Sequence, residues 1–292
     1  MSAGFKYFQY RECPVSEKLA KAFSHVTTPY AVMCADDDFL AMSGLKACLE
    51  FLERNPEYSS AQGRCISFLY KKGKIRFSPT YLKNIRMDVS SDIPSERIIQ
   101  QFSPYMNQFY SLHRTRNLRL AWNISRKIND LRLPELTIGM VAAINGKHSI
   151  LPVFYSVRES IEGSTGTVAK KTDFINPDED SRKDYSLLAS GLARHLMTRQ
   201  KLGFSEAKAK INRALMQYMK FSLSYSESFK SRIIRLIEPR LPWLSKLMRR
   251  AYAIITEQKD LITVRNWKSY SFKGEELDEM SRLVIKHNIS KK

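Results

Sequence analysis

The sequence predicts an α/β fold with a mostly parallel sheet, because strand-like and helix-like segments alternate along its first part. Two stretches with apolar residues at helical spacing separate three short runs that are typical of strands: residues 6–10, 30–35 and 58–69. In sheets built from such β-α-β-α-β alternation, ligands bind at the carboxyl ends of the strands. The second run is continuously apolar and ends at Asp36-Asp37-Asp38, which predicts a strand buried on both faces with three carboxylates at its end.

The helices between these strands have recognisable start and stop signals. Ser16 is the predicted N-cap of the first helix, and Pro29 follows its end; Ser43 is the predicted N-cap of the second, which stops at Asn55-Pro56. Lys71-Lys72-Gly73-Lys74 predicts a turn after the third strand. These signals set the order of elements on both sides of the aspartates.

The second part of the chain is predicted to be increasingly helical. Helices are expected over residues 95–102 and 109–124, and residues 136–144 fit either a strand or a helix. As a strand, residues 136–144 would form a hairpin with residues 149–157 through an Asn145-Gly146 turn. Residues 159–183 are polar, so we expect an α/β domain over residues 1–180 and an α-helical extension over residues 181–292.

The charge is distributed unevenly between these two parts. The chain has a net charge of +19, of which residues 181–292 carry +14 and residues 1–180 carry +5. This excess predicts an anionic partner: nucleic acid, lipid headgroups or a phosphorylated molecule. Residues 229–255 interleave basic residues with apolar ones and Trp243, which predicts docking on an anionic membrane surface; packing of the same apolar stripe on the catalytic domain is the alternative.

Composition argues against several classes of protein. The four cysteines form no CxxC pair, so neither a zinc site nor a disulfide framework is expected. No apolar run is long enough for a membrane span and no secretory signal is recognisable, so a cytoplasmic protein is expected, with peripheral binding to the inner face of the membrane. No helix-turn-helix, zinc-finger or RNP-type motif appears, so no nucleic-acid partner is expected.

The aspartate cluster is the strongest chemical signal in the sequence. Mg²⁺ and Mn²⁺ prefer carboxylate oxygens and share their remaining positions with water and substrate phosphate. Asp36 and Asp38 are therefore candidate metal ligands, with Asp37 facing the sugar or a basic group. A solvated acidic turn or a helix N-cap is the alternative, because aspartate favours both positions.

The segment that carries these aspartates, residues 28–39 (TPYAVMCADDDF), resembles the DXD-bearing strand of bacterial GT-A glycosyltransferases that use nucleotide-sugars. The following residues 45–63 are similar to the helix and strand after the metal motif, and the resemblance extends over roughly residues 7–160. It implies a GT-A (Rossmann-like) nucleotide-sugar-binding sheet. It also implies transfer of a sugar to a glycan or lipid-linked acceptor in surface polysaccharide synthesis.

The resemblance assigns roles to particular residues. It implies that Asp36 and Asp38 bind Mn²⁺ or Mg²⁺, which neutralises the leaving diphosphate. Glu135, in Leu133-Pro134-Glu135-Leu136, matches the position of the general base, and the alternative is a glutamate that only stabilises a helix N-terminus. Arg158 matches a basic position that contacts the diphosphate, and the alternative is an ion pair with Glu159 or Glu162. Residues 110–115, which include His113, are a weaker candidate for lining the acceptor pocket; packing or a surface position on a helix is the favoured alternative.

The family's first strands, which hold the base and ribose, have no counterpart at the start of this sequence. An N-terminally incomplete sheet with an unpaired edge is therefore expected. A truncated, non-catalytic glycosyltransferase-like protein is the alternative function, and nucleic-acid binding is a less favoured one.

Overall fold

The computed structural model describes residues 4, 6–71, 74–78, 88–103, 105–130, 132–160, 177–226 and 274–290. The helices in this part of the chain are α1 (Val15–Ser24), α2 (Met42–Arg54), α3 (Pro94–Gln101), α4 (Thr115–Ser125), α5 (Arg132–Asn145), α6 (Glu179–Met197), α7 (Phe204–Ser226) and α8 (Gly274–Ser290). The strands are β1 (Tyr30–Val32), β2 (Phe39–Leu40), β3 (Tyr58–Lys71), β4 (Lys74–Ser78), β5 (Asp88–Val89), β6 (Leu112–Arg114) and β7 (Lys147–Glu159). The predicted α/β class is confirmed.

The sheet is mixed rather than mostly parallel, so that prediction was wrong. Its strand order is β1-β6-β3-β7-β2, with β4 paired to β3 and β5 paired to β7. Among the described strands, only β3 and β7 pair in parallel. Short connections favour antiparallel neighbours, as in the β3–β4 hairpin, whereas the parallel strand β7 follows a long helical crossover. The turn residues Lys72 and Gly73 lie outside the described part of the chain.

The strand before the aspartates is shorter and more exposed than predicted. β1 contains only Tyr30–Val32, is half-buried, and pairs with β6 at one edge of the sheet. The chain leaves the sheet after Val32 and rejoins it as β2 at the opposite edge, so the aspartates lie in a connection that crosses the sheet. The predicted first strand, residues 6–10, has no regular secondary structure.

The first two helices occur where predicted, but their N-caps differ. Pro14 and Ala41 occupy the cap positions, whereas Ser16 is inside α1 and only 1% exposed. Helix α2 packs directly on β7: a Cβ on Gly44 would stand 2.0 Å from the Phe154 carbonyl oxygen. Only glycine permits this approach, so Gly44 allows α2, which begins just after β2, to lie close against β7.

Residues 136–144, which fit either element, belong to helix α5. Nearly every side chain from Leu133 to Ile144 is buried, because α3, α4 and α6 surround this helix. The buried Arg97 donates to the carbonyl oxygens of Ala143 at 2.6 Å and Ile144 at 3.0 Å. These bonds give hydrogen-bond partners to carbonyl groups in the last turn of α5. The predicted Asn145-Gly146 hairpin was wrong, since Gly146 joins α5 to β7. The predicted helix over 109–124 instead contains β6 followed by α4.

One hydrophobic core joins helices on both sides of residue 180. It contains Trp122, Leu136, Leu192 and Ile211 from α4, α5, α6 and α7. Helix α8 packs through Met280 and Val284 on the face of the sheet that carries Phe68. The domain boundary near residue 180 stays a prediction. The basic segment 229–255 and most of the predicted linker lie outside the described residues.

Candidate functional site

Asp38 is held at the carboxyl end of β7. Its Oδ1 accepts a hydrogen bond from the Glu159 backbone N–H at 3.0 Å, and its Oδ2 accepts one from Arg158 Nε at 3.3 Å. The Asp38 side chain is only 7% exposed. Burial raises the pKa of Asp38, although Arg158 and the Glu159 N–H act in the opposite direction. The ion pair with Arg158 therefore does not fully offset the loss of solvation of this carboxylate.

Arg158 lies between an acid and an aromatic ring. Its guanidinium carbon is 4.0 Å from the centroid of the Tyr110 ring, a distance typical of a cation–π contact. The Tyr155 hydroxyl donates to the Tyr110 carbonyl at 2.9 Å and so fixes this segment against β7. Burial raises the pKa of Tyr110 to about 12, so Tyr110 is neutral at physiological pH. Among the described residues, the acid that pairs with Arg158 is Asp38 rather than Glu159, which was the alternative considered for this arginine; Glu162 lies outside the described residues.

Asp36 and Asp37 form the turn that precedes Asp38. The turn is closed by a hydrogen bond from the Asp38 N–H to the Ala35 carbonyl at 3.3 Å. Asp36 is exposed and Asp37 is half-buried, and neither side chain makes a hydrogen bond or ion pair with another described residue. Both carboxylates remain available to a ligand. The alternative of a helix N-cap is excluded, because β2 rather than a helix follows these residues.

Glu135 lies in the first turn of α5 and is partly exposed. Its Oε1 accepts hydrogen bonds from the Tyr105 hydroxyl at 2.9 Å and from Asn107 Nδ2 at 2.8 Å. Burial raises the pKa of Glu135, whereas the Tyr105 hydrogen bond and the Arg158 charge lower it. A carboxyl group with a raised pKa that is still reachable from solvent has the properties of a general base.

Four sequence-distant segments contribute to this region. The Arg158 charge acts on both Asp38 and Glu135, and Tyr110 is close enough to be affected by all three. We call Asp38, Tyr110, Glu135 and Arg158 the acidic–arginine cluster. It combines two partly desolvated carboxylates with one guanidinium, which is a composition suited to a ligand that carries phosphate and a reactive hydroxyl.

The aspartates fit a divalent metal only as part of its ligand set. Within the described ranges, no three His, Cys, Asp or Glu side chains are grouped so that they could hold a metal ion. Mg²⁺ bound with nucleotides commonly takes one or two carboxylates, with phosphates and water completing its shell. Asp36 and Asp38 lie in one turn, but both Asp38 oxygens already accept hydrogen bonds from Arg158 and the Glu159 N–H, so Asp38 would join such a ligand set only after its ion pair with Arg158 opens.

His113 lies in the core, as the packing alternative predicted, and does not line an acceptor pocket. It is fully buried, and its Nε2 donates to the Gln108 carbonyl at 2.7 Å. His148, also fully buried, is joined to Ser60 by a hydrogen bond of 2.9 Å between Nδ1 and Oγ. Ser60 pairs with His113 on one side and His148 on the other, so the three form a row across β6, β3 and β7. We call this the histidine row.

Sequence reasoning missed two residues that contact Glu135. Tyr105 and Asn107 precede Glu135 by 30 and 28 positions, and nothing local in the sequence connects them to it. The dense polar and aromatic composition of residues 105–110 is the one signal that could have drawn attention to this segment. Tyr110 was expected on a helix, but it lies in the turn before β6.

A cavity of about 440 Å³ lies between α5, α6 and α7. Leu133, Tyr185, Asn212, Met216 and Met219 line it, and it includes no member of the acidic–arginine cluster. It is therefore separate from the site described above.

Neither the family models nor the curated proteins include a match to this sequence. The function must accordingly be argued from the geometry of the site.

Proposed function

We propose that the chain is a metal-dependent glycosyltransferase of GT-A fold, which moves a sugar from a nucleotide-sugar to the hydroxyl of a glycan or lipid-linked acceptor. The observation that carries the proposal is the acidic–arginine cluster. The family resemblance assigns metal, base and diphosphate roles to its members Asp38, Glu135 and Arg158. Arg158 pairs with Asp38 at 3.3 Å, and its charge lowers the pKa of both carboxyl groups.

In this proposal Arg158 binds the diphosphate of the donor. Its guanidinium is oriented by the Tyr110 ring and by Asp38, and a planar fork suits two-point contact with phosphate oxygens. The ion pair with Asp38 would loosen as Arg158 turns toward phosphate. The metal would then replace Arg158 as the cation that pairs with Asp38.

Asp36 and Asp38 would hold Mn²⁺ or Mg²⁺, and the metal supplies positive charge against the leaving diphosphate. Asp37, half-buried in the same turn, faces the donor sugar or a basic group. Glu135 accepts the proton of the attacking acceptor hydroxyl. Burial raises its pKa, which makes it a stronger base than an exposed glutamate.

The test is metal-dependent turnover of a panel of nucleotide-sugars, followed by release of the nucleoside diphosphate. We compare the unaltered chain with Asp36→Ala and Asp38→Ala. The expected result is Mn²⁺-dependent release by the unaltered chain and a loss of about 10²-fold or more in both variants, because both remove a metal ligand.

Asp92→Ala is the matched control, since Asp92 is an exposed aspartate whose side chain pairs with Lys147 at 2.9 Å. Its turnover should equal that of the unaltered chain. Metal-independent release, or release that survives Asp38→Ala in a folded protein, contradicts the proposal.

The membrane part of the proposal rests on residues 229–255, which lie outside the described residues. None of the helices in the described part of the chain is long and apolar enough to cross a bilayer. Flotation of the chain with anionic vesicles, but not with neutral ones, is the expected outcome of peripheral docking. Binding that is insensitive to vesicle charge contradicts it.

A further inference from the structure

The hydrogen bonds of Glu135 are distributed unevenly between its two oxygens. Tyr105 and Asn107 both donate to Oε1, at 2.9 and 2.8 Å. Among the described residues, no hydrogen bond or ion pair involves Oε2. One oxygen is thus anchored and the other is left for a ligand.

Both donors are themselves held in place. The Tyr105 ring stacks on Phe102 at a centroid distance of 5.8 Å and meets the Tyr218 ring edge-on at 4.9 Å. Asn107 Oδ1 accepts a hydrogen bond from the Phe109 N–H at 2.8 Å, which orients its amide so that Nδ2 points to Glu135. Neither donor can follow the carboxylate if it rotates, so the two bonds define one orientation of Glu135.

We propose that Tyr105 and Asn107 are positioning residues, which anchor Oε1 of Glu135 so that Oε2 takes the proton of the acceptor hydroxyl. This inference rests on the proposed function and adds the atom that reacts and the groups that orient it. In the step itself, the acceptor oxygen forms its bond to the donor sugar, the bond from the sugar to the diphosphate breaks, and the hydroxyl proton passes to Oε2. Diphosphate leaves with the electron pair, so charge and atoms balance.

A merely structural role for the two donors is the competing explanation, because their bonds also tie the segment before β6 to α5. The two explanations differ in their effect on the proton affinity of Glu135. Among the described residues, five groups act on that carboxyl: Arg158 of β7, Tyr218 of α7, and Tyr105, Asn107 and Tyr110 of the segment before β6. Arg158, Tyr110 and Tyr218 stay unchanged in variants of Tyr105 and Asn107.

The test measures kcat, KM for the acceptor and the pH profile of kcat for Tyr105→Phe, Asn107→Asp and Glu135→Gln. Tyr105→Phe keeps the ring contacts and loses one donor. Asn107→Asp keeps the acceptor for the Phe109 N–H and replaces the donor with a negative charge. Glu135→Gln keeps an oxygen that accepts both bonds but cannot take a proton. Tyr185→Phe, which removes a hydroxyl on α6 away from the cluster, is the matched control.

We expect Tyr105→Phe and Asn107→Asp to lower kcat by about tenfold with little change in KM, and to move the acid limb of the profile upward by about one pH unit, because a charged hydrogen bond is lost. Glu135→Gln should lower kcat by about 10²- to 10⁴-fold. Tyr185→Phe should change neither kcat nor the profile.

An unshifted acid limb in both donor variants, with unchanged kcat, overturns the inference. Full activity of Glu135→Gln overturns it as well, while loss of activity in Asp38→Ala would still support the metal and donor parts of the proposed function. Absence of any metal-dependent turnover in the unaltered chain refutes the proposed function and, with it, the positioning role.

Discussion

The acidic–arginine cluster and the histidine row both group polar side chains, but they differ in their exposure. The cluster is partly reachable from solvent, with the Arg158 side chain 20% exposed and Glu135 half-buried. The histidine row is fully enclosed, and burial lowers the pKa of His113 to about 4 and of His148 to about 3, so both rings are neutral. The difference separates a region suited to ligand binding from one that serves the fold.

The energetic consequences of the two regions should therefore differ. A change in the histidine row should alter the free energy of unfolding and leave ligand binding intact. A change in the cluster should alter ligand binding and leave the free energy of unfolding nearly intact. Each prediction below tests one side of this contrast.

The largest expected effect is acid destabilisation through the histidine row. In the folded protein both histidines have a pKa below the ordinary value of 6.5. At pH values between the folded and the unfolded pKa, the unfolded state therefore binds more protons than the folded state. Stability is fully present above pH 6.5 and is lost as the pH falls toward 4, by about 3 kcal/mol for His113 alone. Denaturant unfolding at a series of pH values from 7.5 to 4.5 measures this loss.

His148→Asn should reduce the acid sensitivity, because the asparagine does not titrate. His25→Asn is the control, since His25 is exposed and only stacks on Phe8 at 4.5 Å. Asp38 and Glu135 act in the opposite direction: their raised pKa values add stability as the pH falls through them. Equal acid sensitivity of His148→Asn and the unaltered chain would refute the role of the row.

A smaller effect is expected from Ser60→Ala. The substitution removes the partner of His148 Nδ1 and leaves a second buried ring nitrogen without a hydrogen bond, beside Nε2, which has no partner in the described residues. We expect a loss of about 1–3 kcal/mol in the free energy of unfolding. Ser24→Ala, at an exposed position, should change little. Weaker binding of the nucleotide-sugar by a folded Ser60→Ala protein would contradict the proposed separation of the two regions.

The smallest effect is expected from Arg158→Lys. Lysine keeps the charge but loses the planar contact with Asp38 and Tyr110, so the affinity for a nucleoside diphosphate should fall about tenfold. Titration calorimetry with Mn²⁺ present measures the change. Arg126→Lys serves as the control, because Arg126 is an exposed arginine that pairs with Glu17. An unchanged affinity of Arg158→Lys for the nucleoside diphosphate would refute the proposed contact between Arg158 and the diphosphate.

The sequence singles out Asp36, Asp38, Glu135 and Arg158 as candidates because residue type and local motif carry their signal, and their roles stay predictions. Their proximity could not be derived, since it depends on a connection that crosses the sheet from β1 to β2. The prediction of mostly parallel strand pairing was wrong because local periodicity does not encode which strands become neighbours.

Other features depended on contacts that are distant in sequence. Residues 136–144 are apolar on every side, so their periodicity could not separate a buried helix from a strand. The bond between Ser60 and His148 spans 88 positions. His113 was expected on a helix, yet strand pairing placed it in the core of the sheet.

The most direct test of the account is the binding of nucleoside diphosphates, measured by calorimetry with and without Mn²⁺. The proteins compared are the unaltered chain, Asp38→Asn and Asp92→Asn. The account predicts binding that requires Mn²⁺, is abolished in Asp38→Asn and is unchanged in Asp92→Asn. Binding that ignores the metal, or that persists unchanged in Asp38→Asn, would contradict the assignment of the acidic–arginine cluster as a metal–diphosphate site.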